Sequence, residues 1–161
     1  MSTLSIPAHG KRPLKRSLLW TVLVFLLTGF HHYYGGIVYH TPWRQHVVLG
    51  GGMALLISVA LFYLYRYRQQ KIFLTLYLLL VFIMFGLGIA VFEGGYNHLV
   101  KIILYFGGLH LHTWRMLFPA PAYEVPGNFI FELTGVLQFF AGAMLFYFLK
   151  QVYNLYFKGK V

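Results

Sequence analysis

Along this chain, long apolar runs alternate with short polar connections. Mainly apolar stretches cover 17–34, 46–65, 72–92 and 129–149. Each is close to the roughly 17–25 residues with which a helix crosses about 30 Å of hydrocarbon. Trp, Tyr, His, Lys or Arg flank every run, as residues that anchor a helix at a membrane interface do. The pattern predicts an all-α fold: an integral membrane bundle of four transmembrane helices, forming a single membrane domain over 1–161.

The stretch 98–118 breaks this pattern. Between Lys101 and Arg115 it holds 13 uncharged residues, and apolar segments of about 10–14 residues are more often re-entrant or interfacial than membrane-crossing. Gly107-Gly108 lies in its middle, where it can break a helix. The basic residues point the same way. With four crossings, Lys11, Arg12, Lys15, Arg16, Arg66, Arg68, Lys71, Lys150, Lys158 and Lys160 share one side, and only Arg44, Lys101 and Arg115 lie on the other. That is a clear positive-inside split, which a fifth crossing would weaken. The expected topology has both termini cytoplasmic, in tails at 1–16 and 150–161. A re-entrant or interfacial helix at 98–118 lies on the extracytoplasmic side. The first run starts behind basic residues like a signal sequence but meets no small-x-small cleavage pattern, which predicts a retained anchor. The expected location is a multi-pass cell membrane, the inner membrane in a bacterium.

Composition sharpens the picture. Apolar residues make up 59% of the chain and charged residues 10%, against about 45–50% and about 25% in an ordinary soluble domain. So few charges cannot cover a soluble surface, and the expected solvent is largely the lipid bilayer. The net charge of +10 sits at the ends of apolar runs rather than along a basic stripe. Topology and anionic headgroups account for it, and no nucleic-acid partner is expected. Cysteine is absent, which excludes disulfides, thiolate nucleophiles and iron–sulfur clusters.

Charge segregation also places the chemistry. Glu93, Glu124 and Glu132 all fall on the outer side, with His31, His32, His40, His46, His98, His110 and His112; only His9 is cytoplasmic. Imidazole and carboxylate without thiolate suit a transition metal such as Cu, Fe or Zn. The seven outer histidines are the candidate metal ligands, with Glu93 and Glu132 as the candidate carboxylates and acid–base groups. Helix geometry restricts the combinations. His31 and His32 diverge by about 100°, so one of the two is expected to face the bundle. His98 and His112 stand about 21 Å apart on a straight helix and meet only if the chain bends at Gly107-Gly108. Glu93 and Asn97 share a face if the third span continues past Gly94-Gly95.

Each residue also has a plainer reading. Histidines anchor helices at interfaces, and Glu132 sits in the first turn after a helix start at Asn128, where a carboxylate suits the helix dipole. Arg44, Lys101 and Arg115 are available as salt-bridge partners for Glu93. Gly50 with Ala54, and Gly86 with Ala90, have the small-xxx-small spacing of helix contacts. Thr28 and Gln138 are expected to hydrogen-bond between helices. No HExxH or C2H2 spacing occurs. The facing intramembrane histidines of small b-type cytochromes and the clustered histidine boxes of membrane desaturases are also missing.

Three functions fit these residues. One is a His/Glu site at the outer face that binds a transition metal for redox chemistry or metal handling. Another is a non-catalytic accessory subunit that packs against other membrane protein subunits or itself, consistent with 20% aromatic residues. The last is a lipid- or isoprenoid-modifying enzyme using Glu93 and a histidine, whose mark is a pocket lined by both and reaching toward the acyl region.

Overall fold

A computed structural model describes residues 11–158; 1–10 and 159–161, with His9 and Lys160, lie outside the described residues, while 11–16 and 150–158 of the expected tails continue the first and last helices. Every regular element among the described residues is helical. We number them α1 (Lys11–Val38), α2 (Gln45–Arg68), α3 (Lys71–Phe106), α4 (Leu111–Leu117) and α5 (Phe129–Lys158). Four of these, all but α4, are long and apolar enough to cross a membrane. Within their apolar windows, only 17% of α2 and 39% of α5 is buried inside the protein. The rest is an apolar exterior far larger than a water-soluble protein tolerates, and it matches hydrocarbon as the surrounding solvent.

The connections are short where the chain has polar residues. Gln69 takes a left-handed conformation (φ 54°) and its N–H returns to the Tyr65 carbonyl at 2.8 Å, ending α2 as a helix cap does. Gln70 is extended and α3 begins one residue later. At the other end, His40 is left-handed (φ 51°), and a short 3-10 turn at Pro42–Arg44 leads into α2.

The core at the Gln69–Gln70 end is a packed cluster that includes Leu14, Tyr65, Leu74, Tyr77, Leu145 and Val152. Ser17 and Tyr77 share a hydrogen bond of 2.9 Å across α1 and α3. Further along, α3 and α5 come together on small residues. A side chain added at Gly142 would run into Ala90, and one at Gly94 would meet the backbone of Gln138 and Phe139. The expected packing role of Gly86 and Ala90 is thus realised against α5. Gly50 behaves differently: a Cβ there would meet nothing within 4 Å, so it does not seat a helix.

The third helix departs from its expected end at 92. It continues through Gly94-Gly95 to Phe106, so 98–106 belongs to α3 and not to a separate segment. The two glycines do not break it because α5 fills the space where their side chains would be. The break comes at Gly107-Gly108, where Gly108 has φ 84°. Beyond it α4 folds back on α3: Trp114 is buried, and its indole N–H donates to the Lys101 carbonyl at 3.2 Å.

Candidate metal centre

The site is assembled from α1, α3 and α5 at the end of the bundle away from the Gln69–Gln70 connection. Residues 81–100 of α3 are wound with the wider i→i+5 pattern. That winding sets residues five apart on one face, whereas an α-helix would turn them by about 140°. Glu93 and His98 therefore look the same way. At the start of α5, Asn128 accepts a hydrogen bond from the Phe131 N–H at 3.0 Å and caps the helix. The cap fixes the first turn, which carries Phe131 and Glu132 inward, both buried.

Glu93 Oε1 is the centre of the cluster. The Nε2 atoms of His31, His32 and His98 lie 3.7, 3.6 and 3.6 Å from it. These separations are too long for hydrogen bonds. They are close to the edge of about 3.4 Å expected between ligands of a tetrahedral ion with bonds of about 2.1 Å. Donor atoms of His31, Glu93 and His98 all lie within 4.8 Å of one another, and this group could hold a metal ion. The other Glu93 oxygen is already used: Asn97 Nδ2 donates to Oε2 at 2.7 Å, and Tyr123 OH donates to Asn97 Oδ1 at 3.1 Å.

Surrounding hydrogen bonds determine which imidazole nitrogens are free. Thr134 Oγ1 lies 2.8 Å from the Ile130 carbonyl and 3.1 Å from that of Phe131, where its single proton is spent. It must therefore accept from His31 Nδ1, 3.0 Å away. Glu132 Oε2 lies 2.8 Å from His98 Nδ1 and, as a carboxylate, accepts from it. Both rings are left with an Nε2 lone pair facing Glu93, the form in which imidazole binds metals. His31 Nε2 is buried with no hydrogen-bond partner among the described residues. Lys101 Nζ donates to Glu132 Oε1 at 2.7 Å, so both Glu132 oxygens are engaged. Carboxylate–histidine pairs of this kind orient ligands at metal sites.

Phe131 packs the cluster together. Its ring stacks on His31 at 4.1 Å and meets His98 at 5.1 Å. Gly135, one turn on, seats the His98 ring, since a Cβ there would overlap the imidazole.

Of the residues singled out by sequence, the structure brings together His31, His32, His98, Glu93 and Glu132. His40, His46, His110 and His112 are exposed and stand apart from the cluster. Both members of the His31-His32 pair face inward, against the expectation of one: His31 lies against α5 and His32 toward α2, with Glu93 between them. The expected salt-bridge partners of Glu93 are engaged elsewhere. Lys101 pairs with Glu132, Arg44 Nε donates to Thr41 Oγ1 at 2.8 Å, and Arg115 donates to the Tyr123 carbonyl at 3.4 Å. Thr28 and Gln138, expected to bond between helices, are buried without hydrogen-bond partners among the described residues. Sequence reasoning missed the supporting roles of Phe131, Thr134 and Tyr123. The only signal for the first two was their place in the turns after the Asn128 cap.

Two tyrosines outside the spans border the region. Burial and then the Glu132 charge push the Tyr39 hydroxyl up to about 12. Burial, followed by Glu93, raises Tyr123 as well.

Fold and site together define a helical membrane protein with four candidate spans and a buried His/Glu group at one end. No protein-family model, curated protein or solved structure matches the chain, so the reading rests on its own residues.

Proposed function

We propose that the protein is a membrane metal centre: it holds one divalent transition-metal ion between α1 and α3, at the extracytoplasmic end of the bundle. Glu93 Oε1 and the Nε2 atoms of His31 and His98 supply three ligands. His32 supplies a fourth or leaves that position to substrate. The observation that carries this reading is the single carboxylate oxygen with three imidazole nitrogens at 3.6–3.7 Å and no hydrogen bond to any of them. An ordinary buried cluster would close these gaps, because a buried nitrogen left without a partner costs about 1–3 kcal/mol. A metal ion satisfies all four donors together.

The donor set is nitrogen and oxygen without sulfur, which suits Zn, Fe(II) or Cu(II). The identity of the ion separates redox chemistry from metal handling. Elemental analysis of protein purified in mild detergent, before and after loading with each ion, is the direct test. About one equivalent is expected in the wild type, with loss in both Glu93→Ala and His98→Ala. Less than about a tenth of an equivalent after loading, with the variants indistinguishable from wild type, would overturn the proposal.

A further inference from the structure

α2 and α3 stay together beside their connection and part toward the outer end, where few residues of α2 approach the Val81–Val100 section. The gap is a cleft of about 420 Å³, inside the range of about 300–1,000 Å³ of small-ligand sites. Its two ends differ in chemistry. Arg44, Glu93, His98 and Tyr123 border the outer end, whereas Gly50, Ala54, Phe85 and Gly88 border the inner part. Ala54 lies ten residues beyond Arg44, about 15 Å along the helix. Gly50 and Gly88 are exposed, so the apolar part of the cleft opens sideways onto the surface that faces hydrocarbon.

Arg44 is the distinctive group at the mouth. It is 4% exposed, and no carboxylate lies within 4.0 Å of it among the described residues. Its Nε donates to Thr41, one terminal nitrogen reaches the Ala122 carbonyl at 3.4 Å, and the rings of Trp43 and Phe131 flank it at 4.9 and 5.3 Å. Glu93 and Glu124 also border the cleft but make no direct ion pair with Arg44. A buried cation without a direct partner is costly, and guanidinium is suited to gripping a carboxylate or phosphate with two hydrogen bonds. Thr28, which also borders the cleft, has a buried hydroxyl with no hydrogen-bond partner among the described residues. A water-soluble anion would have no use for the apolar floor, and a neutral lipid would leave Arg44 unpaired.

We propose that this cleft binds an anionic amphiphile from the bilayer, its carboxylate or phosphate head held by Arg44 beside Glu93 and its acyl or prenyl tail laid over Gly50 and Gly88. That the head also meets the metal rests on the function proposed above; the binding itself does not.

Native mass spectrometry of the metal-loaded full chain tests this, with stearate, oleoyl lysophosphatidic acid and monoolein as probes. One equivalent of stearate or lysophosphatidic acid is expected, and the better binder of the two identifies a fatty-acid or a phospholipid source. Monoolein, and both acids with Arg44→Gln, should bind about thirtyfold or more weakly, the effect of losing a buried charged hydrogen bond. Gly50→Phe fills the floor without meeting the backbone, and Gly88→Leu narrows it from the other wall; each should abolish binding. Equal binding of monoolein, or unchanged binding in Arg44→Gln or in both glycine variants, overturns the proposal. Metal content measured on the same samples separates the two ideas. Amphiphile bound to metal-free protein leaves the cleft standing alone, and metal-loaded protein that binds none of the probes sinks the cleft alone.

Discussion

Of the three imidazoles that converge on one carboxylate oxygen, two are held from behind by further residues. Glu132 and Thr134, both on α5, accept from His98 and His31 and leave the opposite nitrogens free. If this support sets the metal affinity, Glu132→Gln should weaken binding about 10–100-fold while the first ligands remain, as measured by competition with a chelator. A protein whose affinity is unchanged would show that Glu132 only neutralises Lys101. Acid should release the ion, because each imidazole lone pair that takes a proton is lost to the metal. Tyr39, pushed up to about 12, stays protonated from acid to neutral pH and adds nothing to this release. Retention followed from pH 8 down to about pH 5 should fall in one direction only; metal held more tightly in acid would exclude histidine ligation. At this scale the sequence was only partly legible. The seven candidate histidines look alike in composition, and burial alone separates His31, His32 and His98 from the four exposed ones. The inward turn of His31 and His32 together depends on α1 having neighbours on two sides, which no local pattern records.

Among the helices, small residues decide where α3 and α5 touch, and the two contacts at Gly94 and Gly135 have different consequences. A methyl group at Gly135 meets the His98 ring, whereas one at Gly94 meets the backbone of α5. Gly135→Ala should therefore displace a ligand and reduce metal content with little change in thermal stability. Gly94→Ala should lower stability by about 1–3 kcal/mol, the usual cost of overpacking a tight contact. Thermal unfolding and elemental analysis of both variants check the pair, and the same loss of metal in each would mean that the helix contact and the site are one unit. The spans could be read from sequence because hydrocarbon demands a minimum length of apolar residues, a requirement visible in any window. The continuation of α3 past 92 could not. Propensity marks Gly94-Gly95 as a weak point, and only the surface of α5 shows why the helix survives there. The wide winding that aligns Glu93 with His98 was hidden for the same reason, since the α-period assigns them different faces.

For the molecule as a whole, four long apolar helices were foreseeable, and the sidedness deduced from lysine and arginine is now open to a direct measurement. The chain has no cysteine, so single introduced cysteines report without background. Tyr39→Cys and Ala122→Cys should react with an impermeant thiol reagent added outside intact cells, and Gln70→Cys only after the membrane is opened. Labelling of Gln70→Cys from outside would invert the bundle and place the His/Glu cluster and the cleft mouth on the cytoplasmic face.

Twenty-two residues of α3 separate Lys71 from Glu93, about 30 Å of helix, which is also the depth of an average hydrocarbon layer. If Lys71 marks one boundary of that layer, the carboxylate is carried level with the other. A few ångströms of extra lipid thickness would drown it in acyl chains, and a thinner leaflet would leave it wet. If the cluster holds an ion as proposed, the length of the surrounding fatty acids would act as a dial on how readily that ion exchanges.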